Sequence, residues 1–130
     1  MEVSSDVIQL LSQIGYLACL KGDTANGQMI MDAVEANSDS HPSAMIGVAI
    51  SRIYAGQYAE AVSTLKNKVL NIEPNNMTAK TFLGIALTES GETEEAFSLF
   101  RDIAANGDAD NSAIASFYLG EMNVAEMQQG

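Results

Sequence analysis

The amino-acid sequence predicts an all-α fold, a right-handed solenoid of three helix pairs followed by a C-terminal capping helix. Three glycines, Gly22, Gly56 and Gly91, stand 34 and 35 residues apart, and a period in this range is typical of helical repeat arrays. The residue sizes around each glycine also repeat. A small residue lies seven positions before it (Gly15, Ala49, Gly84), another five positions after it (Gly27, Ala61, Ala96), and a bulky one nine positions after it (Met31, Leu65, Phe100). Small residues allow close helix approach, and bulky ones fill the space between pairs. Alternating apolar and polar runs are absent, so the sequence predicts no strands.

The first helix pair is predicted within repeat one, about residues 8–41. Its first helix starts near Ser5 or Asp6, either of which can accept hydrogen bonds from the free amides of a helix start, and runs to Lys21. Gly22 ends it, and the second helix runs to about Ala36. Apolar residues recur at helical spacing along both segments.

The second and third pairs are predicted in repeats at about 42–76 and 77–110. Helix three runs from about Pro42 to Ala55 and helix four from about Ala59 to Asn71. Helix five covers about Met77 to Ser90, capped by Asn75 or Asn76. Gly91 ends it in the left-handed conformation, and helix six opens with three acidic residues that suit a helix dipole (Glu92, Glu94, Glu95).

A capping helix at about 112–127 is predicted to cover the last apolar face of the array, as repeat proteins require. The residues assigned to its covering side recur at helical spacing (Ile114, Ala115, Tyr118, Leu119, Met122). With 130 residues, of which 47% are hydrophobic, residues 1–130 are predicted to form a single domain.

These residues resemble the tetratricopeptide repeat family, whose signature runs aromatic, Leu-Gly, Tyr, Ala, Phe and Pro over 34 residues. The third copy matches at Leu83-Gly84, Leu87, Gly91, Ala96 and Phe100, and the second at Val48-Ala49, Gly56, Tyr58, Ala61, Leu65 and Pro74. The resemblance covers about residues 8–106. The copies depart from the signature at Arg52 and where the leading aromatic belongs (Leu11, Met45, Lys80).

The charge excludes several classes of partner. Seventeen acidic and six basic residues give a formal net charge of −11, which repels nucleic acid and anionic lipid and favours basic or apolar partners. The N-terminus has no basic residue before its apolar stretch and no apolar run is long enough for a membrane span, so we expect a cytoplasmic protein. The single cysteine, Cys19, fits a reducing compartment and is expected to be a buried, inert thiol.

Motifs that carry catalysis or metal binding are missing. The sequence has no glycine-rich phosphate loop, no cysteine pair at metal spacing and no histidine-glutamate metal motif. Its only histidine, His41, lies in a polar connector, and the acidic stretch 108–111 lacks the glycine and glutamate of a calcium loop. We therefore expect no enzymatic activity, no metal and no cofactor.

The resemblance implies a concave, partner-binding groove lined by the first helix of each pair. The positions that match this lining are Ser12, Tyr16, Cys19 and Leu20 in copy one, Ile46, Ile50, Ile53 and Tyr54 in copy two, and Thr81, Ile85 and Thr88 in copy three. Family members that clamp a peptide carboxylate use lysine, asparagine and arginine there, so this groove is expected to be apolar instead. The alternative is that these residues pack under the last helix or against a neighbouring subunit.

Small acidic proteins of this family with an apolar groove resemble the chaperones of bacterial type III secretion systems. The resemblance implies that the repeats shield an apolar or amphipathic helix of an exported needle or translocator subunit, a helix-in-groove mode of binding. The other hypothesis is a scaffold or adaptor that joins folded proteins in a complex. Either function implies a protein partner, as a hetero-complex or a homodimer, with no nucleic acid and no membrane insertion.

Overall fold

A computed structural model of the protein describes Gly22 and residues 24–36 and 41–129. These residues form six helices and contain no strand, so the all-α prediction is confirmed. The helices are α1 (Thr24–Ala36), α2 (Pro42–Tyr54), α3 (58–72), α4 (Met77–Glu89), α5 (Thr93–Asn106) and α6 (Ala109–Gln129). The first predicted helix lies outside the described residues. No helix in the described part of the chain has the length and apolar character needed to cross a membrane.

Gly56 and Gly91 follow the ends of α2 and α4 as the sequence predicts, whereas the helix predicted before Gly22 lies outside the described residues. Gly22, Gly56 and Gly91 have φ angles of +85°, +77° and +86°, a region that side chains strongly disfavour. The turns at Gly56 and Gly91 have the same hydrogen bond, in which the amide after the glycine donates to the carbonyl five residues earlier. The N–O distance is 2.7 Å from Gln57 to Arg52 and 2.8 Å from Glu92 to Leu87. Such turns satisfy the free carbonyls of a helix end.

The cap predicted at the start of α4 is present, whereas α6 starts earlier than predicted. The side chain of Asn76 accepts a hydrogen bond of 2.9 Å from the amide of Ala79 at the start of α4. Helix α6 starts three residues earlier than predicted, because Asp108 caps it with a bond of 2.8 Å from the amide of Asn111. A carboxylate at this position satisfies a free amide and suits the helix dipole.

The chain divides into two compact units, Met1–Pro74 and Asn75–Gly130. In the first, α2 packs on α1 and on α3. Its core contains Met45, Val48 and Ala49 from α2 and Ala61 and Leu65 from α3, all fully buried. The burial of Ala61 agrees with its predicted role as the small residue of a close helix contact.

Helix α3 contains a π-helical segment. It begins as Tyr58–Ser63, continues as the π-helix Thr64–Val69 and ends with Leu70–Ile72. A π-helix accommodates one extra residue within an α-helix. The buried residue that follows Leu65 is Val69, four positions on, whereas in α5 the one that follows Phe100 is Ile103, three positions on. The π-helix therefore explains why the second glycine interval is 35 rather than 34.

In the second unit, α5 packs on both α4 and α6. Phe100 is fully buried, and its ring stacks on that of Tyr118 with centroids 4.9 Å apart. A Cβ added to Gly84 would lie 2.7 Å from the ring of Phe100. The small and bulky positions that repeat in the sequence are thus in direct contact here.

Lys80 occupies the place of the family's leading aromatic residue. Its ammonium lies 3.3 Å from Oδ2 of Asp102 on α5, and its side chain is mostly buried. Hydrogen bonds from Asn106 and from Lys80 hold the pKa of Asp102 below its ordinary value. The ion pair thus links α4 to α5 while the aliphatic stem of the lysine covers apolar surface.

Asn111 joins α6 to α4 from a buried position. Its Oδ1 accepts a hydrogen bond of 2.9 Å from the hydroxyl of Thr81, and its Nδ2 donates to Oδ2 of Asp108 at 3.0 Å. Buried polar groups that find their partners fix one arrangement of the helices. The sequence gives no direct signal for this contact, since the two bonded side chains lie 30 positions apart.

The cap of α6 predicts a dependence of stability on pH. Hydrogen bonds from the amide and side chain of Asn111 lower the pKa of Asp108. Its charge therefore stabilises the fold fully above the unfolded pKa of about 3.9, and this contribution is lost as the pH falls through the lower folded pKa. Asp108→Asn keeps a capping side chain without the charge. We expect wild type to exceed this variant in urea midpoint at pH 7, and the difference to shrink below pH about 4; a constant difference would contradict this role.

Candidate partner-binding surfaces

The predicted lining of copy two forms one face of α2. Ile46, Ile50, Ile53 and Tyr54 recur at helical spacing, opposite the buried face that contains Met45. Ile46 is buried, so the expectation that it lines an open groove is corrected, whereas Ile50 and Ile53 are half-buried and Tyr54 is 60% exposed. We call Ile50, Ile53 and Tyr54 the α2 face. It carries no charged side chain, so it offers apolar contact and a tyrosine ring to a partner.

The matching positions on α4 differ from one another. Thr81 is fully buried, and its hydroxyl is bonded to Asn111 and to the carbonyl of Met77. The expectation that Thr81 lines an open groove is therefore corrected, because its side chain is used inside the second unit. Ile85 and Thr88 are half-buried, and the Thr88 hydroxyl donates to the carbonyl of Gly84 at 2.8 Å.

The predicted lining of copy one, Ser12, Tyr16, Cys19 and Leu20, lies outside the described residues. Helix α2 belongs to the first unit and α4 to the second. The continuous groove stays a prediction.

A second exposed apolar surface lies on α6, where the sequence analysis placed none. Phe117 is 62% and Ile114 37% exposed. The covering side is instead formed by Asn111, Ala115, Tyr118, Leu119 and Met122, so assigning Ile114 to it was wrong. A helical projection of α6 identifies the outer side, since Phe117 lies opposite Ala115 and Leu119.

Arg52 has a structural role that the sequence analysis did not identify. Its guanidinium donates to Asp32 of α1 at 2.6 Å and to the side chain of Gln57 at 2.9 Å. The arginine side chain is almost fully buried, whereas that of Asp32 is mostly exposed. A charged side chain stands here at a position that is aromatic in the family, and it links α1 to α2. A short-range motif search cannot find this pair because the residues are 20 positions apart.

The described residues include no group of three or more histidine, cysteine, aspartate or glutamate side chains placed to hold a metal ion. His41 is half-buried immediately before α2. The side chains that the structure exposes on the α2 face and, on α6, at Ile114 and Phe117 are mainly apolar, and their arrangement favours contact with another protein.

Comparison with known proteins agrees with the repeat pattern. A family model described as tetratricopeptide repeat matches residues 52–118, just over half of the chain. No curated protein and no solved structure matches the chain. Tetratricopeptide repeats are modules of protein–protein interaction and are generally not catalytic. The helix pairs, their left-handed glycine turns and the matched segment together show that this chain belongs to the tetratricopeptide repeat family.

Proposed function

We propose that this protein binds a partner protein through the α2 face. The observation that carries the proposal is the uncharged surface of Ile50, Ile53 and Tyr54, which ends in a tyrosine that is 60% exposed. Aromatic and aliphatic side chains that lose water on binding supply most of the affinity of protein interfaces. The partner is a protein segment with apolar side chains, presented as an amphipathic helix.

The charge of the chain indicates the composition of the partner segment. A net charge of −11 favours a segment with basic residues beside its apolar ones. The α2 face has no lysine or arginine that would hold a terminal carboxylate. Its partner is therefore bound through internal apolar side chains rather than through a free C-terminus.

The finer proposal is a cytoplasmic chaperone that shields an apolar segment of a type III secretion export substrate, a needle or translocator subunit. Two features support it: the acidic charge of the chain and an apolar face without a carboxylate clamp. A subunit that assembles outside the cell must have its amphipathic helix covered before export. The competing function is a scaffold that joins folded proteins, and the second exposed surface, on α6, favours it.

A charge placed on the α2 face tests the binding surface. We expect Ile50→Asp to reduce capture of the native partner at least tenfold, because the carboxylate would be desolvated against apolar side chains. Ala59→Asp adds the same charge at an exposed position of α3 and serves as the matched control. Partner capture is measured by copurification from the native cell, and helical content by circular dichroism.

Ile50 is half-buried, so the milder variant Tyr54→Ala separates binding from folding. The proposal holds if Tyr54→Ala keeps the wild-type melting temperature and loses partner capture. Full capture by both folded variants would show that the α2 face is not the binding surface. The copurified protein also decides between the two functions: a small, aggregation-prone export substrate supports the chaperone, and a large folded assembly supports the scaffold.

A further inference from the structure

Helix α6 presents an outer face with a regular arrangement of side chains. Six exposed residues lie within about 120° of helical arc: Asp110, Ala113, Ile114, Phe117, Gly120 and Glu121. We call them the α6 outer face. Ile114 and Phe117 form its centre, and the acidic residues Asp110 and Glu121 lie one turn beyond them at either end. The face is thus an apolar pair between two carboxylates.

Most of the surface of Phe117 lies outside the packing of its own unit. Its ring touches Tyr118 edge-on, with centroids 5.6 Å apart, while 62% of its surface stays exposed. The stacking on Phe100 comes from Tyr118 instead. An exposed aromatic beside an exposed isoleucine is characteristic of an interaction surface.

Gly120 provides an independent observation. Glycine in the interior of a helix is unfavourable compared with alanine, so a packing reason is expected. None exists within the described residues, because a Cβ added to Gly120 would meet nothing within 4 Å. Gly120 lies one turn after Phe117 on the same face. The missing side chain leaves room for the backbone of another molecule beside the phenylalanine ring.

The charges of the second unit indicate what kind of molecule can dock on the α6 outer face. Residues 75–130 contain nine acidic and two basic residues, and one of the two, Lys80, is paired with Asp102. If a second copy of the chain docked by the same face, Asp110 and Glu121 would lie against the acidic residues of that copy. Repulsion between like charges opposes this arrangement. A helix with apolar residues at its centre and lysine or arginine at both ends fits the apolar pair and both carboxylates.

We propose that the α6 outer face is a second docking site, for an amphipathic helix whose apolar centre is bracketed by basic residues. Phe117 and Ile114 contact the apolar centre of that helix, Gly120 admits its backbone, and Asp110 and Glu121 bind its basic ends. This site is distinct from the α2 face and does not depend on the function proposed for it.

The probe is a synthetic amphipathic helix of about 20 residues, with leucines and one alanine along one side and lysines at both ends. A control peptide carries glutamates in place of the lysines. Calorimetry with the full chain should detect binding of the first peptide, and at least tenfold weaker binding of the second. Phe117→Ala should weaken binding of the lysine peptide at least tenfold, whereas Ser116→Ala, at an exposed position of α6 outside the α6 outer face, should leave it unchanged.

Gly120→Ala separates docking from stability. We expect this variant to melt at a higher temperature than wild type, because alanine favours the helix, and yet to bind the lysine peptide more weakly, because the new methyl group occupies the space beside Phe117. Asp110→Asn with Glu121→Gln should weaken binding at low salt and reduce its salt dependence.

Several results would overturn the proposal. They are no binding of the lysine peptide, equal binding of the glutamate peptide, and wild-type affinity in Phe117→Ala. Loss of affinity in Tyr54→Ala alone would place the peptide on the α2 face instead. Sedimentation velocity tests the other occupant: a wild-type dimer that Phe117→Ala converts to a monomer would show that a second copy covers the face.

Discussion

Phe100→Ala is expected to destabilise the second unit by about 3–5 kcal/mol, the cost typical of removing a buried aromatic side chain. Phe100 is fully buried, stacks on Tyr118, and its ring occupies the space that a Cβ on Gly84 would need. Since a domain of this size has a total stability of about 5–15 kcal/mol, the loss is a large fraction of it. Urea unfolding followed by circular dichroism measures the change.

The complementary substitution, Gly84→Ala, is expected to destabilise the second unit because it adds an atom to this contact instead of removing atoms from it. Its methyl carbon would lie 2.7 and 2.8 Å from two ring atoms of Phe100, and overpacking of this kind costs about 1–3 kcal/mol. In a Phe100→Leu background the ring is gone, and Gly84→Ala should cost less. Gly120→Ala is the control, because its methyl group meets nothing. Equal costs of Gly84→Ala in both backgrounds would contradict the contact.

Deletion of Asn67 is expected to leave the fold intact, while deletion of Ser98 is expected to destroy the second unit. Asn67 is exposed within the π-helix of α3. Its removal lets that segment become an α-helix and places Val69 three residues after Leu65, the spacing that Phe100 and Ile103 have in α5. The free energy of unfolding should stay within about 1 kcal/mol of wild type.

Ser98 is the matched control because it is also exposed within a helix. Helix α5 is α-helical throughout, so a deletion there rotates the residues that follow by about 100° and removes Phe100 and Ile103 from the core. We expect a loss greater than about 4 kcal/mol. Circular dichroism and urea unfolding compare the two deletions, and equal damage would show that the π-helix does not hold the extra residue.

The sequence predicts the boundaries of α2 and α4 well because they are determined by local chemistry. A positive φ at Gly56 and Gly91 requires glycine, and the cap at Asn76 needs only an amide three residues away. The burial of Ala61 and Ala96 follows from the repeat itself. Such signals are contained within a few residues of one another.

Features that depend on distant partners were not predicted. From the sequence, Thr81 was assigned to the groove, because its hydrogen bond with Asn111 is visible only in the structure. Arg52 was likewise described only as a departure from the family signature, because its ion pair with Asp32 is visible only in the structure. The glycine interval reveals one extra residue but not that it lies in the π-helix. Phe117 was missed for a different reason: its exposure depends on which side of α6 packs, and Ile114 was assigned to the covering side.

The two ion pairs that anchor helices within each unit also affect how quickly partners arrive. Arg52 and Lys80 are two of only six basic residues, and both are directed to carboxylates of a neighbouring helix. Fewer positive charges therefore interrupt the negative potential around the molecule. Such a potential draws oppositely charged segments in from about 8 Å at physiological salt and raises association rates by about 10–10³-fold. The internal pairing of Arg52 and Lys80 thus favours rapid encounter with basic partners, while the apolar contacts set how long each complex lasts.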